Sequence, residues 1–411
     1  MRADYIAQIE VYIHIVIFEL EQFSISFHLY GTMSDINKVL VAGANGYIAM
    51  WVIRYLLEQG YSVRGTVRDE LKMAVVVDSF PGHISKGSLE VVVAADATER
   101  GAYDMAVRDV DAVIHAATPV LFSDGEPEEM IRPARDGTIN LLNSILSCGT
   151  PVQRVILTSS VASIFRISLE QNEGQIEPRQ PRKLTEDDWN EESLALCDML
   201  GVNAPPLDKY MAGKIIAEKA ARDFIKVHKD QITWDVVSLH PSWVFGGTEM
   251  IQPAVRPCTD PAHMNLSSKL WFDAVFTDTK AEHLGNSSGG WVDVRDVALA
   301  HVRALQRMEA GGLFRSTKSP SSGMTSVSVL MKDPTPHPRF NIQIIVDQIA
   351  NKLKPTLPAL LHPIAPPRPD ILSQYFYEYS NDKARDILGI KFRTKEETVR
   401  DTFEEWAKYG I

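Results

Sequence analysis

Tyr210 and Lys214 are the residues of this chain whose types and spacing point most directly to chemistry. They stand in the sequence KYMAGKIIAE of residues 209–218. On a helix, side chains four residues apart lie on one face, one turn from each other. An ammonium group beside a phenol favours the phenolate and lowers the pKa of the tyrosine. The pair therefore predicts a general acid and base for a carbonyl oxygen, although the same spacing also occurs on ordinary helix surfaces.

A glycine turn upstream favours the catalytic interpretation. Residues 38–42 form a short buried-strand pattern that runs into the sequence GANGYIA, and an amphipathic helix pattern comes next and ends at Gly60. Strand, glycine turn and helix in this order are typical of a dinucleotide-binding site. Gly43 permits the tight turn, Gly46 lets backbone amides approach a pyrophosphate, and Ala49 is small enough for close packing. The residues predicted to hold the cofactor here are Gly43, Asn45, Gly46, Tyr47 and Ile48. The alternative is a glycine-rich turn without a ligand.

The next strand pattern, residues 61–67, ends in basic residues. Arg68 follows it directly, and Arg64 and Lys72 are close in sequence. A carboxylate near this strand end receives the adenosine ribose of NAD, whereas an arginine suits the 2′-phosphate of NADP. Arg68 and Lys72 therefore predict a preference for NADPH. The alternative is a basic loop that contacts only solvent.

Later strand patterns also end in residues suited to a cofactor or substrate. Asp96 follows residues 89–95, and its carboxylate suits either the adenine amino group or the cap of the helix after it. Ser160 ends the apolar run 155–160 and is suited to hydrogen-bond a substrate carbonyl. Residues 236–246 lead through Pro241 into a rigid turn. Residues 112–119 bring small side chains to a strand end where backbone must pass close to a cofactor. The predicted contacts there are Ala116, Ala117 and Thr118, whereas His115 is predicted to be packed.

The order of these motifs resembles that of the extended short-chain dehydrogenases/reductases. The motifs are Gly43-x-x-Gly46-x-x-Ala49, Val67-Arg68-Asp69, Thr158-Ser159-Ser160 and Tyr210-x-x-x-Lys214. Within that superfamily the chain resembles the branch of dihydroflavonol 4-reductases, cinnamoyl-CoA reductases and fungal aldehyde/ketone reductases, as does the run GWVDVRDVA at residues 290–298. The similarity covers residues 36–315, and residues 340–411 more loosely.

The resemblance implies a role for each of these residues. Tyr210 would donate a proton to the substrate oxygen, and Lys214 would lower the pKa of Tyr210 and hold the nicotinamide ribose. Ser160 would orient the carbonyl, and Pro241 would lie near the nicotinamide carboxamide. Hydride would pass from C4 of the nicotinamide, so that the protein supplies orientation and charge.

Some positions depart from the pattern of that branch. Ala42 stands where threonine often precedes the first glycine, and Gly213 where serine often precedes the catalytic lysine; neither change removes a reacting group. Plant dihydroflavonol reductases carry an asparagine shortly after the serine strand, and residues 161–165 (VASIF) contain none. We therefore expect a hydrophobic aldehyde or ketone rather than a dihydroflavonol.

The alternation of strand and helix patterns predicts an α/β fold with a parallel, doubly wound sheet (Rossmann) and a smaller, discontinuous C-terminal substrate lobe. We assign residues 33–241 to the NADP-binding domain, with residues 285–310 returning to it. The substrate lobe comprises residues 242–284 and 311–411. Its candidate pocket residues, about half of which are predicted to be core, are Trp243, Phe245, Leu270, Trp271 and Phe272.

Several segments fit this scheme less well. Residues 1–32 do not match the rest of the chain, and we interpret them as an extension without function. Residues 316–339 are rich in serine, proline and threonine and are predicted to be a loop or insertion. The polar residues 170–182 are expected at the rim of the substrate cleft. Residues 342–353 show helical spacing and are predicted to pack in the C-terminal lobe.

Composition agrees with a soluble, cytoplasmic enzyme, and the resemblance implies a small carbonyl compound as its substrate. The chain has 411 residues, 45% of them hydrophobic, and a net charge of −11, which argues against nucleic acid as a partner. The apolar run 11–18 is too short to span a bilayer. Cys148, Cys197 and Cys258 are odd in number, lack metal or redox spacing, and suggest reduced thiols in a cytosolic protein. We expect a monomer or a homodimer. No metal site is predicted.

Three functions are compatible with these observations. The first is an NADPH-dependent carbonyl reductase. The second is a nucleotide-sugar epimerase or dehydratase that recycles NAD, which Arg68 disfavours. The third is a non-catalytic NADP-binding sensor, which typically lacks the tyrosine or the lysine that this chain retains.

Overall fold

A computed structural model describes residues 36–117, 124–166, 182–247, 264–277, 290–311, 324–329, 350 and 377–408. The predictions for residues 1–32, for Thr118, for most of the polar segment 170–182 and for most of the helical pattern 342–353 lie outside these residues. The described strands, numbered in chain order, are β1 (Lys38–Ala42), β2 (Ser62–Val67), β3 (Leu89–Val93), β4 (Ala112–His115), β5 (Arg154–Thr158), β6 (Arg182–Leu184), β7 (Asp235–Pro241), β8 (Trp243–Phe245), β9 (Trp291–Asp293), β10 (Met324–Val329) and β11 (Tyr377–Tyr379).

The described α-helices lie between these strands and at the C-terminal end. They are α1 (Tyr47–Glu58), α2 (Glu70–Ser79), α3 (Pro81–Ser85), α4 (Pro127–Ser147), α5 (Glu191–Leu200), α6 (Pro206–Val227), α7 (Leu266–Phe276), α8 (Val294–Gln306), α9 (Asp382–Asp386) and α10 (Lys395–Lys408).

A parallel seven-stranded sheet forms the centre of the protein, in the order β10-β7-β5-β4-β1-β2-β3. The chain winds outward in both directions from β1 and β4, so the strand order reverses between them. In open α/β sheets, ligands bind at the carboxyl ends of the strands at such a reversal. The predicted doubly wound Rossmann fold is confirmed, and its topology directs attention to the loops after β1 and β4.

Both faces of the sheet are covered, which explains why its strands are apolar nearly throughout. On β1, Val39 and Val41 belong to the core on the side of α1 and α8, whereas Leu40 and Ala42 belong to the core on the side of α4 and α6. The alternation follows from the pleat, since successive side chains of a strand point to opposite faces. The strand carrying the glycine turn is thus held from both sides.

Helix α1 ends as the sequence predicts. Gly60 has a φ of +86°, its N–H donates to the Leu57 carbonyl at 3.1 Å, and the N–H of Tyr61 donates to the Leu56 carbonyl at 3.0 Å. This is the glycine-ended helix terminus that satisfies the last carbonyls. At the other end, Gly46 is the N-cap, and no side chain caps the helix.

The prediction of a loop for residues 316–339 is wrong at Met324–Val329. This segment is β10, which pairs in parallel with β7 at the edge of the central sheet. The domain boundaries must change accordingly, because a strand assigned to the substrate lobe belongs to the dinucleotide-binding sheet. An edge strand is paired on one side only, so a sequence rich in serine and threonine is tolerated there.

Aromatic side chains connect α7 with α10. The Trp271 and Trp406 ring centroids are 6.1 Å apart, and those of Phe403 and Trp406 are 5.5 Å apart in a stacked arrangement. Phe245 of β8 joins them through an edge contact with Trp271 at 5.1 Å. Residues 264–277 and the C-terminal helix therefore share one apolar core.

Candidate active site

A cleft of about 280 Å³ lies at the carboxyl ends of the central strands, beside the reversal between β1 and β4. The residues that line it come from the loops after β1, β4, β5 and β7, from α6, and from the start of α7. They are Gly46, Tyr47, Ile48, Ala49, Ala116, Thr158, Ser159, Ser160, Val161, Ala162, Leu207, Tyr210, Lys214, Pro241, Ser242, Trp243, Val244, Asn265, Leu266 and Ser267. The predicted residues that the fold brings together here are Gly46, Tyr47, Ile48, Ala116, Ser160, Tyr210, Lys214 and Pro241.

The glycine turn after β1 can only be built with small residues. Gly43 has a φ of +81°, and a Cβ on it would lie 2.8 Å from the Cα of Ala117. The N–H of Ala116 donates to the carbonyl of Ala42 at 3.0 Å, which holds the ends of β4 and β1 together. Gly43 and Ala117 thus shape the turn from behind, while Asn45 is half-buried within it.

The first turn of α1 presents backbone donors to the cleft. The N–H groups of Tyr47, Ile48 and Ala49 have no acceptor among the described residues, and the turn contains no acidic side chain. Free amides at a helix N-terminus attract anions because the helix dipole places partial positive charge there. The side chain of Tyr47 is engaged elsewhere, since its hydroxyl donates to the carbonyl of Gly246 at 2.8 Å. These residues fit the pyrophosphate of a dinucleotide.

Tyr210, Lys214 and Ser160 approach the cleft from two elements. Tyr210 and Lys214 lie one turn apart on α6, and Ser160 caps the short 3₁₀-helix Val161–Ser163 after β5. The Ser160 hydroxyl is hydrogen-bonded to the side chain of Tyr210. Its oxygen also accepts from the N–H of Ala162 at 3.1 Å, which fixes the serine in the turn.

Helix α6 can place this pair because it packs closely on α4. A Cβ on Gly213 would lie 3.1 Å from the carbonyl oxygen of Met130, so this position favours glycine. Lys214 is 6% exposed, and its Nζ donates to the carbonyl of Thr158 at 3.0 Å. The hydroxyl of Thr158 is hydrogen-bonded to His301 at 2.8 Å. The lysine is thereby held against the end of β5.

In the protein without cofactor the pKa of Tyr210 is raised rather than lowered, and the expected effect of Lys214 on it stays a prediction. Burial raises the pKa of Tyr210 to about 12, and the hydrogen bond with Ser160 opposes this shift only in part. Burial also lowers the pKa of Lys214 to about 8, although the negative charge of Glu218 acts in the other direction. The physical reason is desolvation, which disfavours the charged form of both groups.

A buried polar cluster lies directly behind Lys214, and it was not predicted from the sequence. Glu218 is 3% exposed; its Oε2 accepts from the Ser159 hydroxyl at 2.6 Å and lies 2.8 Å from Nε2 of His240. Arg222 donates to its Oε1 at 3.1 Å. The one available signal was the spacing, because Glu218 follows Lys214 by four residues.

His115 is buried as predicted, and its Nε2 is 3.2 Å from the hydroxyl of Thr138. Burial lowers the pKa of its imidazole to about 4, and the charge of Lys214 acts in the same direction, so the ring is neutral at ordinary pH.

The residues predicted to contact the adenosine half of the cofactor lie at strand ends away from the cleft lining. Arg68 follows β2; its side chain is 71% exposed, with Nε at 3.4 Å from Asp69. Lys72 lies in the first turn of α2 and is half-buried. Arg64 is held elsewhere, because it pairs with Glu90 at 2.8 Å and donates to backbone carbonyls. Arg68 and Lys72 thus remain accessible for a phosphate.

Asp96 is exposed and closes a local turn. It accepts from the N–H and the hydroxyl of Thr98 at 2.8 and 2.7 Å, and these hydrogen bonds lower the pKa of its carboxyl. The residues after it form turns rather than the helix that a capping role requires. Its predicted contact with adenine stays a prediction.

The apolar wall of the cleft differs from the aromatic set predicted for it. Trp243 lines the cleft, but Phe245, Trp271 and Phe272 are at most 4% exposed and belong to the aromatic core. Large aromatic side chains bury more area by packing together than by lining a cleft. Of the predicted pocket residues, only Trp243 lines the cleft. The apolar residues that line it are Ile48, Ala49, Ala116, Val161, Ala162, Leu207, Pro241, Trp243, Val244 and Leu266.

Comparison with known proteins agrees with this geometry. The profile of the NAD dependent epimerase/dehydratase family matches residues 39–315. The chain belongs to this family. The resemblance to extended short-chain dehydrogenases/reductases is thereby confirmed. Within the described residues, no helix combines the length and the apolar composition needed to cross a bilayer.

Relatives that match over nearly their whole length are named as reductases. The NADPH-dependent methylglyoxal reductase GRE2 of Saccharomyces cerevisiae is 29% identical over 90% of this chain and 98% of its own. The ketoreductase azaE of Aspergillus niger is 32% identical over 89% of this chain and 96% of its own. The crystal structure of yeast methylglyoxal/isovaleraldehyde reductase Gre2 complexed with NADPH has a TM-score of 0.69 and 26% identity, covering 90% of this chain and 98% of that one.

Proposed function

We propose that this chain is an NADPH-dependent reductase of hydrophobic aldehydes or ketones, with Tyr210 as the general acid. The observation that carries the proposal is that Ser160, Tyr210 and Lys214 line one cleft with the first turn of α1. Ser160 is distant in sequence from Tyr210 and Lys214, so only the folded chain brings the three residues together. The named activities of GRE2 and azaE support the same reaction.

The proton comes from Tyr210. Because burial raises its pKa to about 12, the phenol holds its proton at neutral pH, as a general acid must. Ser160 is hydrogen-bonded to Tyr210 and is placed to donate to the same carbonyl oxygen. As the proton leaves, the ammonium of Lys214 stabilises the phenolate that remains. When bound, the reduced nicotinamide supplies the hydride.

The cofactor is held along the carboxyl ends of β1, β2 and β4. The free amides of α1 bind the pyrophosphate, and the exposed guanidinium of Arg68 binds the 2′-phosphate that distinguishes NADPH from NADH. Lys214 would hold the nicotinamide ribose, and Pro241 would contact the carboxamide. The solved complex of the yeast relative with NADPH supports this choice of cofactor.

The cleft favours a small, largely apolar substrate. Its wall includes the aliphatic side chains of Val161, Leu207 and Leu266 together with Trp243. The polar side chains Ser160, Tyr210 and Lys214 lie at the proposed reacting position, and the lining also includes Thr158, Ser159, Ser242, Asn265 and Ser267. Such a distribution orients a single polar group and leaves the rest of the ligand against apolar surface. A carbonyl compound with a hydrophobic substituent satisfies both parts.

The test is NADPH oxidation, followed by absorbance, with a panel of hydrophobic aldehydes, ketones and diketones. Tyr210→Phe removes only the hydroxyl and is expected to lower kcat by about 10²- to 10⁴-fold, which is the usual contribution of a general acid. NADPH affinity, measured by fluorescence, should stay at the wild-type value.

Tyr103→Phe is the matched control. Tyr103 is 1% exposed, and burial raises its pKa to about 12, but it lies in the core on the α4 side of the sheet. Losing that hydroxyl should leave turnover unchanged. Full activity of Tyr210→Phe would show that the proposed acid is wrong. An inactive wild-type enzyme that still binds NADPH would contradict the proposed reaction.

A further inference from the structure

The carboxylate of Glu218 connects all the elements that carry the candidate catalytic residues. It lies on α6, four residues after Lys214, and is 3% exposed. It accepts a hydrogen bond from the hydroxyl of Ser159, the residue before Ser160, at 2.6 Å. It also lies 2.8 Å from Nε2 of His240, the residue before Pro241. One side chain therefore fixes the ends of β5 and β7 against α6.

This carboxylate is ionised. Burial alone would raise the pKa of Glu218. The charge of His240, the hydrogen bonds from His240 and Ser159, and the charge of Arg222 together outweigh burial and lower the pKa to about 2. Because a carboxylate is acceptor-only, Nε2 of His240 carries the proton of their hydrogen bond. Glu218 thus contributes a negative charge to the interior of the protein.

On the cleft side, the charge of Glu218 acts on Lys214. The two side chains share the wall of a small cavity of about 20 Å³, with room for about one water molecule, together with His115, Thr138 and Ser238. The neutral His115 faces Lys214 from β4, the carbonyl of Thr158 faces it from β5, and Tyr210 lies on its own helix. The charge of Glu218 raises the pKa of Lys214 against the effect of burial.

We propose that Glu218 is a positioning residue of the reductase: its buried carboxylate keeps Lys214 charged and holds Ser160 and Pro241 in place against α6. The inference rests on the proposed function, but its electrostatic part concerns the protein without cofactor. A purely structural glutamate would hold the strands together equally well without affecting the protonation of the lysine, so the two roles give different results.

The experiment measures the titration of Lys214 directly. Protein carrying ¹³C at the lysine Cε is titrated by NMR without cofactor, and the Lys214 signal is assigned by comparison with Lys214→Arg. In the wild type the signal should titrate near the pKa of about 8. In Glu218→Gln, which keeps the shape but not the charge, the midpoint should fall by about one pH unit or more. As the pH rises, the kcat of Glu218→Gln should begin to fall at a correspondingly lower pH than the kcat of the wild type.

Glu218→Asp and Asp235→Asn complete the design. The aspartate keeps the charge on a shorter side chain, so the Lys214 midpoint should stay near the wild type while kcat falls because Ser159 is no longer reached. Asp235 is another buried carboxylate on β7, paired with Arg154 at 2.7 Å at the opposite end of the strand. Its loss should lower the melting temperature and leave the Lys214 midpoint unchanged.

Two results would overturn the proposal. One is a Lys214 midpoint in Glu218→Gln equal to that of the wild type. The other is a kcat that falls by one factor at every pH in Glu218→Gln, or, should that variant not fold, wild-type kcat in Glu218→Asp. A wild-type enzyme that reduces no carbonyl would contradict the proposed function instead, and the NMR midpoints would still decide the electrostatic claim.

Discussion

Cofactor choice should depend on Arg68 and can be tested by Arg68→Ala. The side chain follows β2, is 71% exposed, and its Nε lies 3.4 Å from Asp69. At that distance and exposure the ion pair contributes little to stability. The substitution should therefore leave the fold intact and remove only a guanidinium that is available to a ligand.

The magnitude depends on the kind of contact that is lost. A hydrogen bond to a charged group contributes about 1.5–3 kcal/mol. Because Arg68 is largely solvated, the lower end of that range applies, and about 1.4 kcal/mol corresponds to a tenfold change in affinity. Arg68→Ala should weaken NADPH binding about tenfold, and NADH binding should not change, because NADH lacks the 2′-phosphate.

The assay is the dissociation constant of each dinucleotide, measured by fluorescence titration. Arg64→Gln is the matched control, since Arg64 lies on β2, four residues before Arg68, but is engaged with Glu90 at 2.8 Å. That variant should lose stability and keep the wild-type ratio of the two constants. The assignment of Arg68 to the phosphate would be refuted if Arg68→Ala weakened the binding of NADPH and NADH by the same factor, or if it weakened the binding of neither.

Three further predictions concern catalysis and stability. Ser160→Ala removes a donor to the carbonyl oxygen and should lower kcat by about 100-fold, measured at saturating NADPH. Activity should be constant below the Lys214 pKa of about 8 and fall as the pH rises through it, because the protonated lysine is the active form; a kcat that rose across this range would contradict that role. Asp235→Asn leaves Arg154 buried without its partner and should cost about 3–5 kcal/mol in the free energy of unfolding, measured by denaturant titration.

The elements that can be recognised from a local sequence pattern were predicted well. The strand, glycine turn and helix from Lys38 to Glu58 are confirmed, as is the parallel sheet, because buried strands and amphipathic helices have short sequence periods. Ser160 and Tyr210, which were both assigned to the substrate carbonyl, line the same cleft, because the helix that carries Tyr210 passes the carboxyl end of the strand that precedes Ser160.

The features that could not be predicted depend on contacts between distant residues. Strand β10 was missed because it is short and lies within residues 316–339, whose serine, proline and threonine content is typical of a loop. The partnership of Glu218 with His240 joins a helix to a strand and leaves no local signal. The raised pKa of Tyr210 was missed for the same reason, because burial is a property of the assembled cleft.

The most direct test of the proposed reaction is the fate of the hydride. NADPH carrying deuterium at both positions of nicotinamide C4 is mixed with the enzyme and a hydrophobic aldehyde or ketone, and the alcohol is analysed by mass spectrometry. We expect one deuterium at the carbinol carbon with the wild type and almost none with Tyr210→Phe in the same time. Bound, intact NADPH with no labelled alcohol from any carbonyl tested would contradict the proposed reduction.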